Sequence, residues 1–174
     1  YKSFVAIDWA MHVATGKSWH GQDVAKNHVI YVAAEGGTGI GMRAWAWLIE
    51  HDIDPSSVDI AWLTESIPVS VDSENMEQLF GRINDELERE PGLVVIDTLA
   101  RCFDGDENQQ EYMGRFIGGV DRLRREFDAT VVVVHHTRLD ADRERGSTAF
   151  RGAADTMVYV KKLRDGEVEI ACNK

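Results

Sequence analysis

Cysteine is scarce: the chain has two in 174 residues, Cys102 and Cys172, far apart and in no Cys-x-x-Cys pair. That excludes a disulfide framework and a cysteine-built zinc site, and it fits reduced thiols in the cytoplasm. Long apolar runs are absent too. No stretch approaches the roughly 18 apolar residues a membrane span needs, so none is expected. Basic charge is in short supply, with 19 Lys and Arg against 30 Asp and Glu and a formal net charge of −11. This excludes a strong general affinity for nucleic acid, though not a grip through a few local basic loops that an oligomer gathers around a channel. The chain shows no internal repeat and no low-complexity tract. Its opening, Tyr1-Lys2-Ser3-Phe4, has no start Met and is not a signal peptide.

What is present describes a soluble globular domain. Hydrophobic residues make up 44% and charged residues 28% of the chain, and the length suits one domain with a sizeable core. Five apolar runs have strand length, over 29–34, 58–63, 93–97, 130–134 and 156–160. Helical spacing separates the first four. Phe4, Ile7, Met11 and Ala14 mark one face of a first helix, and Val5, Trp9 and Val13 fill another, so this helix is expected to be buried nearly all round. Trp45 and Trp47 belong to a second helix. Met76, Leu79, Phe80, Ile83 and Leu87 give a third, begun near Asp72-Ser73 and stopped by Pro91-Gly92. Met113, Phe116, Ile117, Val120, Leu123 and Phe127 give a fourth.

Unbroken apolar strands alternating with helices predict an α/β fold: a mostly parallel central sheet covered by helices on both faces. Val168, Ile170 and Cys172 alternate with Glu169 and Ala171 behind Asp165-Gly166. That pattern predicts an antiparallel hairpin extending the sheet at its end. The least regular segments, 101–110 and 138–150, are polar, and each follows the carboxyl end of a central strand. In open α/β sheets that edge is where ligands bind.

Chemistry concentrates at the same edge. Leu93-Val94-Val95-Ile96 is too apolar to face water on either side, and it delivers Asp97 at its carboxyl end. Such an acid is placed to order a magnesium ion beside phosphates, although an Asp there also serves as a helix N-cap. Lys2-Ser3 opens the first helix, where helix-end amides, an ammonium and a hydroxyl together suit phosphate and magnesium. Glu35 follows a buried strand and precedes Gly36-Gly37. A carboxylate at that tip can polarise an attacking water, or simply face solvent in a turn. His135-His136 ends the strand 130–134, and alternation sends the two rings to opposite faces, which argues against a shared metal. Arg145, Arg151 and Lys174 are either solvated surface charges or cations that reach phosphate, a task suited to the planar guanidinium.

In chain order these pieces resemble the RecA-like ATPase core, and more closely the hexameric replicative helicases and the plasmid and phage RepA-like ATPases. The matching residues are Lys2-Ser3-Phe4, Val32-Ala33-Ala34-Glu35-Gly36, Leu93 to Thr98, Val133-Val134-His135-His136-Thr137, and Arg145-Gly146-Ser147-Thr148-Ala149-Phe150-Arg151-Gly152-Ala153-Ala154-Asp155. The resemblance implies a single ATPase domain over 1–174, entered within the phosphate-binding loop, with Tyr1 where the family has Gly. It implies ATP and Mg²⁺ as cofactors. Lys2 would then be the phosphate-binding lysine, with Ser3 and Asp97 as magnesium ligands. Glu35 would be the base that activates water, and His136 the sensor of the γ-phosphate. Arg145, Arg151 and Lys174, with Arg43 as an outside candidate, resemble cations that act on a neighbour's nucleotide. Segments 101–110 and 138–150 would face a central channel of a homo-oligomeric, hexameric ring and hold single-stranded DNA. The setting implied is cytoplasmic replication or recombination in a bacterium, plasmid or phage.

Two readings of other classes accompany it. Tyr1 suits a DNA-binding assembly or recombination factor with a degenerate nucleotide site. Asp97, Asp104, Asp106 and Glu107 suit the two-metal carboxylate cluster of a nuclease.

Overall fold

The computed structural model describes residues 1–34, 37–71, 74–86, 89–105, 109–136 and 148–174. Its elements run α1 (Lys2–Thr15), β1 (Val29–Ala33), α2 (Gly37–His51), β2 (Ile60–Leu63), α3 (Glu74–Glu86), β3 (Leu93–Asp97), α4 (Gln110–Phe127), β4 (Thr130–Val134), α5 (Thr148–Ala153), β5 (Val158–Lys162) and β6 (Val168–Cys172). β1 to β4 form one sheet in the order β2-β1-β3-β4, and every pairing in it is parallel.

All five residues of β1 and all five of β3 are buried. Two-sided burial is why both strands read as unbroken apolar runs, and each Val or Ile so covered contributes roughly 1.5–3 kcal/mol. Alternation divides their side chains between two cores. Ile30, Val32, Val94 and Ile96 point to one face, where Met76, Leu79, Phe80 and Ile83 of α3 and Met113, Phe116, Leu123 and Phe127 of α4 cover them. Val29, Tyr31, Ala33, Leu93 and Val95 point to the other, under Ala6, Ile7, Ala10 and Met11 of α1 and Ile40, Ala44, Trp47 and Leu48 of α2. α1 is covered nearly all round, as its two apolar faces predict; Phe4 is its exposed exception.

Local signals set the ends. Gly16 closes α1 in the left-handed region at φ 73°, and a Cβ there would lie 2.9 Å from the Lys26 Cβ. Asp128 performs the same turn after α4 at φ 47°. Two expectations shift. The fifth strand begins at Val158 rather than 156, and the β5–β6 hairpin stands as its own two-stranded sheet instead of extending the parallel one. Standing apart, β6 covers only part of Val168 and leaves four residues in solvent.

The strand order places the functional edge. From β1 the chain moves outward to β2, then returns to lay β3 on the opposite side of β1. The carboxyl ends of β1 and β3 therefore flank the point where strand order reverses, the crevice in which open α/β sheets hold ligands. Among the described residues, no helix is long and apolar enough to cross a membrane.

Candidate functional site

β3 pairs with β1 so that Asp97 lies opposite Ala33, and the Ala34 N–H donates to the Asp97 carbonyl oxygen at 2.8 Å. Glu35 itself lies outside the described residues, but the strand that leads to it ends beside Asp97. On the other side, Asp97 pairs with Val134, two residues before His136. The edge thus gathers the ends of β1, β3 and β4.

Alternation aims Asp97 at the α1/α2 face, where it is 2% exposed. Both carboxylate oxygens are held. Ser3 Oγ donates to Oδ1 at 3.1 Å and the Tyr31 hydroxyl to Oδ2 at 2.7 Å. The Asp97–Thr98 peptide is cis. Asp97 is therefore bound across 94 residues of chain to the first turn of α1, and is not a local helix cap. The Tyr31 proton is held tightly: burial raises its pKa far above the ordinary value, and the charge of Asp97 and the hydrogen bond to it add to the effect. Arg43 offsets part of that rise, which puts its positive charge within electrostatic reach of the pair. The Arg43 guanidinium stacks 4.6 Å from the centre of the Phe4 ring.

Lys2 sits beside Ser3 at the start of α1. Burial lowers its pKa, so an arriving anion would restore favourable surroundings that water no longer supplies. Tyr1 precedes the helix without a side-chain cap, leaving first-turn amides available to an oxyanion. The Tyr1 ring is half exposed, 6.4 Å from the Phe4 ring and beneath the Lys162 ammonium. Ser3 and Asp97 form an all-oxygen pair, the donor type magnesium prefers, and a hydroxyl at 3.1 Å from a carboxylate oxygen suits two ligands of one small dication.

The remaining predicted residues fall elsewhere. His136 is exposed just past β4, while His135 turns to the other side and meets the Phe150 ring at 6.2 Å, so the two do not share a site. Arg145 lies outside the described residues. Arg151 is exposed on α5. Lys174 donates to the carbonyls of Arg151, Gly152 and Ala154 at 3.0, 3.2 and 2.6 Å, capping the end of α5. To reach a neighbouring subunit it must release all three. Segment 101–110 is only partly an open loop: Cys102 is fully buried and its carbonyl accepts from Val69, while Phe103 packs 5.7 Å from Phe116. Most of 138–150, and Asp106 and Glu107 with it, lies outside the described residues. Asp104 is exposed, and among the described residues neither it nor Asp97 joins a group of three side chains close enough to share a metal.

Sequence reasoning missed Tyr31. Its signal was a hydroxyl inside an otherwise apolar run, at even spacing from Ala33 and so on the same face as Asp97. It missed Asp8, His12 and His51 as well, which meet between α1 and α2.

No curated protein matches the chain at a significant level. A family model described as an AAA domain matches residues 1–142, the stretch from the start of α1 through all four parallel strands. With Lys2-Ser3 at the helix start and Asp97 on the sheet edge beside it, that match settles the kinship: the chain belongs to the AAA domain family of P-loop ATPases.

Proposed function

We propose that this ATPase domain is a DNA-dependent motor of the helicase type, working on single-stranded DNA as a ring of identical subunits. The observation that carries the catalytic half is the meeting of the Ser3 hydroxyl and the Asp97 carboxylate at 3.1 Å, at the mouth of the sheet where strand order reverses. Magnesium bound there would shield the phosphate charge that develops during transfer. Lys2 and the first-turn amides of α1 hold the β- and γ-phosphates. Ser3 and Asp97 hold the metal, with Tyr31 fixing the carboxylate's orientation. Glu35 takes a proton from the attacking water. His136 senses loss of the γ-phosphate and passes it to segment 138–150.

The assembly half rests on surface chemistry. α2 leaves Met42, Trp45 and Ile49 exposed at 75%, 57% and 67%, an apolar stripe that supports a neighbouring subunit. Arg145 and Arg151 then act on that neighbour's nucleotide, and the DNA is held chiefly through phosphate contacts from few basic residues.

The test is Glu35→Gln, assayed for nucleotide binding and for hydrolysis with and without single-stranded DNA. Binding is expected to persist while turnover falls about 10²–10⁴-fold, the usual worth of a positioned base. Turnover near the unmutated rate would remove Glu35 from the mechanism. Hydrolysis that ignores single-stranded DNA at every length would leave an ATPase without the motor function.

A further inference from the structure

We propose that Asp8, His12 and His51 form a zinc-type metal site that clips α1 to α2, separate from the magnesium site. Asp8 and His12 lie one turn apart on α1, and His51 is the last residue of α2. Their ligand atoms all lie within 4.8 Å of one another. Nothing in the ATPase reading uses them.

His12 and Asp8 face each other acceptor to acceptor. His12 Nδ1 lies 3.0 Å from the Lys17 carbonyl oxygen. A carbonyl can only accept, so Nδ1 carries the hydrogen and the neutral ring presents a bare lone pair on Nε2. That nitrogen faces Asp8 Oδ1 at 3.4 Å, on a ring 5% exposed. Two acceptors so placed need a positive charge between them, either a proton or a metal ion.

Three features favour the metal. The first is the pre-set shell. The Trp47 indole donates to Asp8 Oδ1 and the Trp19 indole to Oδ2, each at 2.8 Å, and the Lys17 carbonyl fixes the His12 tautomer. Outer partners of this kind aim metal ligands and hold them ready. The second is distance. A tetrahedral ion with bonds of about 2.0–2.1 Å sets its ligand atoms roughly 3.4 Å apart, which is the separation of Asp8 Oδ1 and His12 Nε2. The third is His51. A proton shared by Asp8 and His12 needs no third group and gives the second imidazole no part. As a ligand it completes a His₂Asp set with a fourth position for water. The His51 ring stands 5.4 Å from the His12 ring and 3.9 Å from that of Trp47, partly buried at its helix end, with its ligand nitrogen within 4.8 Å of the other two ligand atoms. Nitrogen and carboxylate donors without thiolate suit Zn²⁺ among first-row dications. Because Lys2 and Ser3 ride on α1, such an ion would also fix the angle at which the phosphate-binding end is presented.

The test uses the purified chain stripped with a chelator and titrated with ZnCl₂ by calorimetry, then with Co²⁺ by visible absorption. One equivalent is expected to bind, and the cobalt form should show tetrahedral ligand-field bands without a thiolate charge-transfer band. His51→Ala, at the last, partly buried position of α2, should weaken zinc by roughly tenfold or more with its circular dichroism unchanged. Trp19→Phe keeps all three ligands and should retain the bands while loosening affinity. No saturable uptake by the unmutated chain would overturn the site. Equal affinity in His51→Ala would overturn it as surely.

Discussion

The two faces of the sheet are built from the same strands and carry different loads. On the α3/α4 side the core is apolar throughout, with Leu79, Ile83, Met113 and Leu123 essentially unexposed. On the α1/α2 side the same strands turn Tyr31 and Asp97 inward, and α1 answers with Ser3, Asp8 and His12. At the Asp97 end both carboxylate oxygens are paired, with Ser3 and with Tyr31, where an unpaired buried group would cost about 1–3 kcal/mol. The lesson is a division of labour by parity: even positions of β1 and β3 carry apolar core, and odd positions near the carboxyl ends carry the polar pair Tyr31 and Asp97 on which the proposed chemistry rests.

Crossing two substitutions breaks that division most sharply if it is false. Leu79→Ala on the α3/α4 side should lower stability by about 2–5 kcal/mol in urea unfolding while the folded fraction keeps its ATP turnover. Asp97→Asn, nearly isosteric on the other side, should act chiefly on turnover. If Asp97 holds magnesium as proposed, losing that ligand costs several kcal/mol of transition-state stabilisation and turnover should fall ~100-fold or more. Its stability loss should be that of the one hydrogen bond the amide cannot accept, about 1.5–3 kcal/mol. If Leu79→Ala lowered turnover of the folded protein as far as Asp97→Asn, the two faces would be coupled and the parity argument would fail.

Much of this was legible without coordinates. The strands at 29–34 and 93–97 were readable because burial on both faces keeps them almost wholly apolar, and 130–134 from its run of four valines, although that strand is only partly covered. The amphipathic spacing of Met76, Leu79, Phe80 and Ile83 gave α3 for the same physical reason, one wet side and one dry. Lys2, Ser3 and Asp97 stood out through the resemblance, as a helix start and a strand end in the family's order, and the structure brings Ser3 and Asp97 together. Tyr31 did not, because its meaning depends on β1 pairing beside β3 with Ala33 opposite Asp97, a register no window of sequence contains. Asp8, His12 and His51 depend in the same way on α1 lying against α2. The detached hairpin was half legible: its turn and alternation were readable, but which sheet it joins depends on long-range pairing that no window of sequence contains.

Tyr31→Phe sharpens the comparison at a smaller scale. It keeps the ring packed 4.9 Å from Trp62 and deletes only the hydroxyl that donates to Asp97. A hydrogen bond to a charged group contributes about 1.5–3 kcal/mol, so unfolding in urea should report a loss in that range. The Mg²⁺ concentration for half-maximal turnover should also shift, because the carboxylate loses one of its two anchors. An unchanged Mg²⁺ dependence would make Tyr31 a stabilising residue without a part in positioning Asp97.

The smallest effect distinguishes the faces chemically. Cys102 is fully buried in the α3/α4 core, and burial pushes its thiol up to about 12. Cys172 is exposed on the hairpin. The thiolate is the reactive form, and at pH 8 a group titrating near 12 has almost none. An aromatic disulfide reagent should therefore release one equivalent from the native protein and two once it is unfolded. Leu79→Ala, which loosens the core around Cys102, should speed the second equivalent, while Asp97→Asn should leave it slow. Prompt labelling of both thiols in the unmutated protein would mean that the α3/α4 side opens to solvent readily, and that it is not the rigid half of the molecule.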